Sequence, residues 1–209
     1  MSDYLMPAKN GLHEVVIDKS RFICHVYRIW SVEEANEHIE AIKKEHAKAN
    51  HNCVAYQIGD KNEIQRAFDD GEPTGTAGVP MLDVLKRGDI RNCLVVVTRY
   101  FGGVKLGTGG LIRAYGSTVS AGIQTVGLVR RVPLVSVWLN CDYSLSEVLQ
   151  SKIHGLDHGI GNVEYGERVK IEALVEKDKV DQFVSWVVEV TNNRVIPTIG
   201  AISYQEIPI

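Results

Sequence analysis

Residues 93–126, CLVVVTRYFGGVKLGTGGLIRAYGSTVSAGIQTV, hold the reading of the fold in one stretch. Cys93-Leu94-Val95-Val96-Val97 is an unbroken apolar run rich in β-branched residues, the pattern of a strand buried on both faces. From Leu111 to Val126 the period changes, and Ile112, Tyr115, Val119, Ile123 and Val126 recur at helical spacing. Gly116 and Gly122 inside this helix each cost about 1 kcal/mol relative to alanine, so close packing against a neighbour is expected to offset them. Between strand and helix lie five glycines.

Upstream, strands and helices alternate. Leu12–Ile17 and Phe22–Tyr27 read as strands joined by a hairpin at Asp18-Lys19-Ser20-Arg21. Ser31 followed by Glu34 is a capping box, and Val32, Ala35, Ile39 and Ile42 form the apolar stripe of a helix over Val32–Ala47. Cys53–Ile58 and Ile64–Phe68 read as two more strands around the turn Gly59-Asp60-Lys61-Asn62. Val79–Lys86 is a short helix with Pro80 in its first turn and Gly88 just past its end.

After Arg130-Arg131-Val132-Pro133 the pattern restarts. Val135, Val137, Leu139 and Cys141 alternate with polar neighbours as in a strand with one buried face. Ser144 and Glu147 form a second capping box before a helix whose stripe is Leu145, Val148, Leu149, Ile153 and Leu156. Strands at Asn162–Tyr165 and Arg168–Val175 follow, then a helix from Val180 to about Val190 with Asp178 placed to cap it, and an extended run at Ile199–Ile207. The order β-α-β-β-α-β is that of a ferredoxin-like split βαβ unit. The expected architecture is α+β with two domains, residues 1–131 and 132–209.

A chain of 209 residues with 44% hydrophobic and 23% charged composition has room for one large domain or two small ones, which excludes a disulfide mini-protein or a disordered tail. No apolar run approaches the roughly 20 residues of a membrane span, and the N-terminus lacks a basic segment followed by an apolar one. A cytoplasmic protein without membrane contact is expected. Cys24, Cys53, Cys93 and Cys141 never form C-x-x-C, which argues against a zinc ribbon or redox pair and for reduced, buried thiols.

The net charge of −3 hides an asymmetry. Residues 1–133 carry 17 Lys and Arg against 15 Asp and Glu, while residues 134–209 carry 6 against 11. Within residues 84–131 eight basic side chains face the single acid Asp89, and 11 of the 19 glycines fall between Gly71 and Gly122. Charge and backbone freedom are concentrated there, which directs the search for function.

In Arg99-Tyr100-Phe101-Gly102-Gly103-Val104-Lys105-Leu106-Gly107-Thr108-Gly109-Gly110, glycines let backbone N–H groups turn toward a ligand, and the following helix N-terminus favours an anion. Arg99, Lys105 and Arg113 are candidate phosphate contacts, and Tyr100 and Phe101 offer faces for a base to stack on. Equally, the glycines serve tight turns and a helix seated close to a sheet. The spacing matches neither the Walker nor the Rossmann fingerprint. A second cluster, Asp69-Asp70-Gly71-Glu72-Pro73-Thr74-Gly75-Thr76, brings three carboxylates and two hydroxyls together, as a metal or acid-base site would and as a polar turn before a helix also would. His51-Asn52-Cys53 forms a nucleophile pair only if the thiol is exposed, and its place at the start of an apolar strand favours a structural thiol.

FDDGEPTGTAGVPMLDVL (68–85) followed by LVVVTRYFGGVKLGTGGLIRAY (94–115) resembles the signature of the IMPACT family, and the resemblance extends over the whole chain. It implies a first domain similar to domain IV of elongation factor G and a second similar to the ferredoxin-like domain V of that factor. It also implies a translation-related role, since eukaryotic members regulate the starvation-responsive initiation-factor kinase pathway by binding its activator protein. It supplies no catalytic residue, no metal and no cofactor. The leading expectation is a regulator or accessory protein that binds RNA or the ribosome through the basic, glycine-rich face, with a protein partner in translation control as a further implication. Two alternatives stand beside it: an enzyme acting on a small phosphorylated ligand, and a protein-interaction module without nucleic acid.

Overall fold

The computed structural model describes residues 3–156 and 158–209. By its contacts the chain divides into two compact units, one of Tyr4–Arg130 with Ile207–Ile209 and one containing Arg131–Glu206. Together they hold two sheets and five α-helices.

In the first unit, β2 (Gly11–Ile17), β3 (Ser20–Arg28), β4 (His51–Ile58), β5 (Ile64–Phe68) and β6 (Cys93–Tyr100) form a sheet in the order β2-β3-β6-β4-β5, antiparallel at every pairing. The β2–β3 hairpin closes with Ile17 opposite Ser20, and Asp18 and Lys19 at φ 44° and 64° supply the left-handed pair that a two-residue turn of this hand requires. A further strand, β1 (Tyr4–Pro7), was not expected from sequence and lies outside this sheet; Tyr4 and Met6 pack with Val129.

Helices on both faces explain the doubly buried run in β6, where every residue from Cys93 to Arg99 is buried. α2 (Gly78–Arg87) and α3 (Gly107–Val126) cover one face, setting Met81, Leu85, Tyr115 and Val119 against Cys24, Cys53, Val95 and Val97. α1 (Val32–Glu45) covers the other, setting Ala35 and Ile42 against Val54, Tyr56, Leu94 and Val96. The α1 capping box is formed: Ser31 Oγ accepts from the Glu34 N–H at 3.1 Å, and Glu34 Oε2 accepts from the Trp30 N–H at 2.6 Å.

α3 begins four residues before the position expected from the apolar period. Gly107, at φ 70°, launches the helix, so Gly109 and Gly110 form its first turn instead of a loop. Ile112 is accordingly off the buried stripe and exposed, while Leu111, Tyr115, Val119 and Gly122 face the sheet. A Cβ on Gly122 would stand 2.8 Å from Cys24 Sγ, whereas one on Gly116 would meet nothing closer than 3.9 Å. Close approach therefore requires only the second of the two glycines.

In the second unit the elements run β7 (Leu128–Cys141), α4 (Tyr143–Gly155), β8 (Gly159–Tyr165), β9 (Val169–Glu176), a 3-10 turn at Lys177–Lys179, α5 (Val180–Val190) and β10 (Thr198–Pro208). β10 pairs with β7, β7 with β9 and β9 with β8. Val169, Ile171, Ala173 and Val175 point inward from β9, as their alternation predicts, and pack with Leu149, Ile153, Phe183 and Val187. Two expected caps are not formed. Asp142, not Ser144, is the N-cap of α4, and its carboxylate lies 3.4 Å from Arg168 instead of bonding the helix. Asp178 sits within the 3-10 turn, which leaves Lys179 as the residue before α5 and no side-chain cap. Among the described residues no helix is long and apolar enough to cross a membrane.

Candidate functional site

The acidic loop after β5 is held by its own backbone. Asp69 accepts from the N–H groups of Gly75 at 2.8 Å, Ala77 at 3.1 Å and Gly78 at 2.8 Å, tying the loop to the start of α2. Burial works against the charged form, but these three bonds outweigh it and hold the Asp69 carboxyl below the ordinary carboxylate range. Gly78 must be glycine, because a Cβ there would lie 2.6 Å from the Phe68 backbone nitrogen. Asp70, at φ 46°, accepts from Lys43 Nζ at 3.0 Å and from the Asn52 N–H at 2.7 Å. Thr76 is buried and donates to the Pro73 carbonyl at 2.6 Å, while Thr74 is exposed.

Glu72, the third carboxylate of the loop, turns inward. Its Oε1 accepts from Arg99 Nη1 at 2.7 Å and from the Tyr115 hydroxyl at 2.8 Å, and the Glu72 and Arg99 side chains are only 3% and 6% exposed. Arg99 also donates to Ser20 Oγ at 3.3 Å, and its guanidinium stands 5.4 Å from the centre of the Phe22 ring and 5.6 Å from that of Phe101. Breaking such a buried pair from one side strands a charge out of water, which makes it a strong constraint on the segments that carry it.

The network continues to Cys53, whose Sγ donates to the Asp69 carbonyl at 2.9 Å and lies 3.4 Å from the Tyr115 hydroxyl. Burial pushes the Cys53 thiol up to about 12, and burial together with Cys53 and Glu72 drives the Tyr115 phenol far above its usual range. Cys53 is thus a protonated, structural thiol. His51 shares the rim: its Nδ1 is 2.9 Å from the Asp70 carbonyl and its Nε2 is 3.8 Å from Glu72 Oε2.

The glycine-rich segment lies on the other side of Arg99 in the chain and is exposed. Tyr100 holds its hydroxyl 3.0 Å from His46 Nδ1, and the Phe101 N–H donates to Asn50 Oδ1 at 2.8 Å. Gly102 passes so close to the hairpin that a Cβ would fall inside the Lys19 carbonyl group, whereas Gly103 and Gly107 are open positions with positive φ. α3 starts with no side-chain cap and no acidic residue in its first turn. The orphan N–H groups of Gly107, Thr108 and Gly109 and the positive end of the helix dipole are therefore left without a side-chain partner. Lys105 and Arg113 flank this end, both exposed, and no hydrogen bond or ion pair engages either among the described residues.

The two loops thus meet, but only through the buried layer. Glu72 joins Arg99 and Tyr115, which bracket the glycine-rich segment, while Asp69 is committed to α2 and Asp70 to Lys43 and β4. Among the described residues no three His, Cys, Asp or Glu side chains converge as metal ligands. Sequence reasoning overlooked Ser20, Asn50 and the Tyr115 hydroxyl. Tyr115 reads as one more residue of an apolar stripe, and a hairpin serine and a post-helix asparagine carry no spacing signal.

These features define a two-sheet α+β protein in which a buried polar network around Glu72 and Arg99 lies beside a basic, glycine-rich helix start. Residues 18–123 match the Impact N-terminal domain, and residues 139–194 match DUF1949, a domain of unknown function. The chain belongs to the IMPACT family. It is 44% identical over 206 residues to the IMPACT family member YvyE of Bacillus subtilis, covering 99% of this chain and 95% of that protein. The similarity to the IMPACT family member YigZ of Escherichia coli is 36% over 185 residues, covering 88% and 91%. A Schizosaccharomyces pombe protein named as an IMPACT homolog is 44% identical over 93 residues, 43% of this chain and 32% of that one. A solved structure described as that of a hypothetical protein matches with a TM-score of 0.61 at 32% identity, covering 100% of this chain and 98% of the other.

Proposed function

We propose that the protein is a translation-related regulator or accessory factor that binds RNA or the ribosome through the start of α3. The observation that carries this reading is the uncapped, acid-free N-terminus of α3 with Lys105 and Arg113 exposed beside it. Such an end accepts phosphate oxygens through backbone N–H groups, and the two cations add charge-assisted bonds. Phe101, 46% exposed, offers a stacking face. Arg99 acts in this scheme as a positioning residue, because its charge is spent on Glu72 beneath the surface. The contacts address phosphate and base faces, so affinity without base specificity is expected.

The fold comparison follows the same line. The βαββαβ order of the second unit and its β10-β7-β9-β8 pairing support a ferredoxin-like domain, and with the family relationship they support kinship to domains IV and V of elongation factor G. A cytoplasmic location is part of the proposal. The test is co-sedimentation with ribosomes together with titration of a fluorescent single-stranded RNA at two salt concentrations. Binding that weakens steeply with salt is expected, and salt-independent binding or none contradicts the proposal. Nuclease-resistant capture of a single protein in place of RNA would favour the protein-interaction reading.

A further inference from the structure

A second feature of the first unit is a cleft of about 500 Å³ between α1, β4 and β5, away from the glycine-rich segment in the chain. Its size suits a small ligand. One part of the wall is apolar, formed by Ile39 of α1, Val54 of β4, and Ala67 and Phe68 of β5, with Phe68 half exposed. Phe68 ends β5, the edge strand of the sheet, which leaves its ring available.

The remaining lining residues, Asn36, Lys43, Asn52, Asp69 and Asp70, are polar and carry charges of both signs. Asn52, 7% exposed, lines the cleft; its Oδ1 accepts from Thr98 at 2.7 Å, while its amide nitrogen donates to no described residue and retains access to solvent. It is a nearly buried donor left for a guest. Lys43 and Asp70 stand at the cleft as an ion pair of 3.0 Å, with side chains 47% and 31% exposed. The Asn52 N–H, donating to Asp70 Oδ2 at 2.7 Å, anchors the Asp70 carboxylate here. Asp69 also lines the cleft, its carboxylate bonded to the backbone of Gly75, Ala77 and Gly78, so the lining carries one cation and two anions and disfavours a phosphate-bearing ligand. Exposed pairs like Lys43–Asp70 contribute little to stability, so a ligand opens one easily.

We infer that this cleft binds an α-amino acid head group with an apolar side chain. The ligand's ammonium faces Asp70, its carboxylate or carbonyl faces Lys43 and the Asn52 amide, and its side chain lies against Ile39, Val54, Ala67 and Phe68. A free amino acid and the first residue of a peptide share this chemistry. They differ in whether a carboxylate reaches Lys43.

Calorimetric titration of the full chain with L-leucine, leucinamide, N-acetyl-leucine and the tripeptide Leu-Gly-Gly separates the contributions. L-leucine is expected to bind one to one, with affinity reduced at least tenfold by K43M and by D70N. Leucinamide, which keeps the ammonium and a carbonyl but loses the carboxylate charge, is expected to lose more affinity with D70N than with K43M, and N-acetyl-leucine the reverse. Leu-Gly-Gly binding as tightly as L-leucine assigns the site to peptide amino termini, and much weaker binding assigns it to free amino acids. K43M alters an exposed side chain and decides the matter if D70N fails to fold. A Lys105→Ala/Arg113→Ala variant is expected to bind L-leucine as the parent does, so failure of the RNA reading leaves this one standing. Absence of binding by all four probes at millimolar concentration, retention of parent affinities in K43M, or preferential binding of uridine or adenosine in the cleft overturns the inference.

Discussion

The two loops on either side of the Arg99–Glu72 pair use charge in opposite ways. Between Asp69 and Gly78 every carboxylate has its partners inside the protein: three backbone N–H groups for Asp69, Lys43 and the Asn52 N–H for Asp70, Arg99 and Tyr115 for Glu72. Between Phe101 and Arg113 the charges and the helix end are left unspent. Under the proposed function, the difference separates scaffold from contact surface. Asp69 and Glu72, which read in sequence as part of a metal or acid-base cluster, hold the fold, and Gly109 and Gly110, read as loop, form the first turn of a helix.

The contrast predicts unequal effects. The largest falls on the buried pair: Arg99→Met leaves Glu72 without its cation and is expected to lower stability by about 3–5 kcal/mol in urea unfolding. Lys105→Ala, by contrast, should stay within roughly 0.5 kcal/mol of the parent. Equal effects of the two substitutions would erase the distinction between the loops.

The smaller tests concern the sides of the supporting elements. Gly122→Ala pushes a methyl against Cys24 Sγ and is expected to cost about 1–3 kcal/mol, whereas Gly116→Ala adds helix propensity with only ordinary contacts to Val84 and Pro80 and should gain about 0.5–1 kcal/mol. Opposite signs in thermal unfolding would fix which face of α3 is packed. Asp69→Ala is expected to cost about 2 kcal/mol through lost bonds to Gly75, Ala77 and Gly78. Because the folded state holds the Asp69 carboxyl low, its contribution is full above the unfolded value of about 3.9 and disappears as pH falls through the folded value. The parent should therefore lose stability on acidification below about pH 4 more steeply than Asp69→Ala.

The least effect is expected at His25, on the α1 face. Burial, aided by the nearby His46 and opposed by Glu45, lowers its pKa, so the folded state prefers the neutral ring. Its stabilising contribution is present above the unfolded value of about 6.5 and is lost as pH falls from there through the folded value. His25→Phe should flatten the stability profile below about pH 6.5, as read by thermal unfolding in a buffer series.

Much of the architecture was legible because the periods are strong. The β6 run, the β2–β3 hairpin, the Ser31 box and the alternation in β9 each follow from local pattern. Boundaries at glycine were not legible, since apolar periodicity says nothing about Gly107, Gly109 and Gly110, and α3 was expected to begin at Leu111. The caps at Ser144 and Asp178 failed for a related reason: a strand running directly to Cys141 and a 3-10 turn at Lys177–Lys179 move the helix starts away from the side chains that sequence would use. The inward turn of Glu72 was invisible too, because pairing with a residue 27 positions away has no local signature.

The proposal that Lys105 and Arg113 meet phosphate while Arg99 is held by Glu72 beneath the surface is tested by one number. It is the slope of log affinity against log salt for a single-stranded RNA, measured for the parent chain and for Lys105→Ala/Arg113→Ala. Each phosphate contact on a single strand contributes about 0.7 to the slope, so the double variant is expected to lose about 1.4 while its unfolding midpoint is unchanged. An unaltered slope and affinity in a folded double variant would contradict the account.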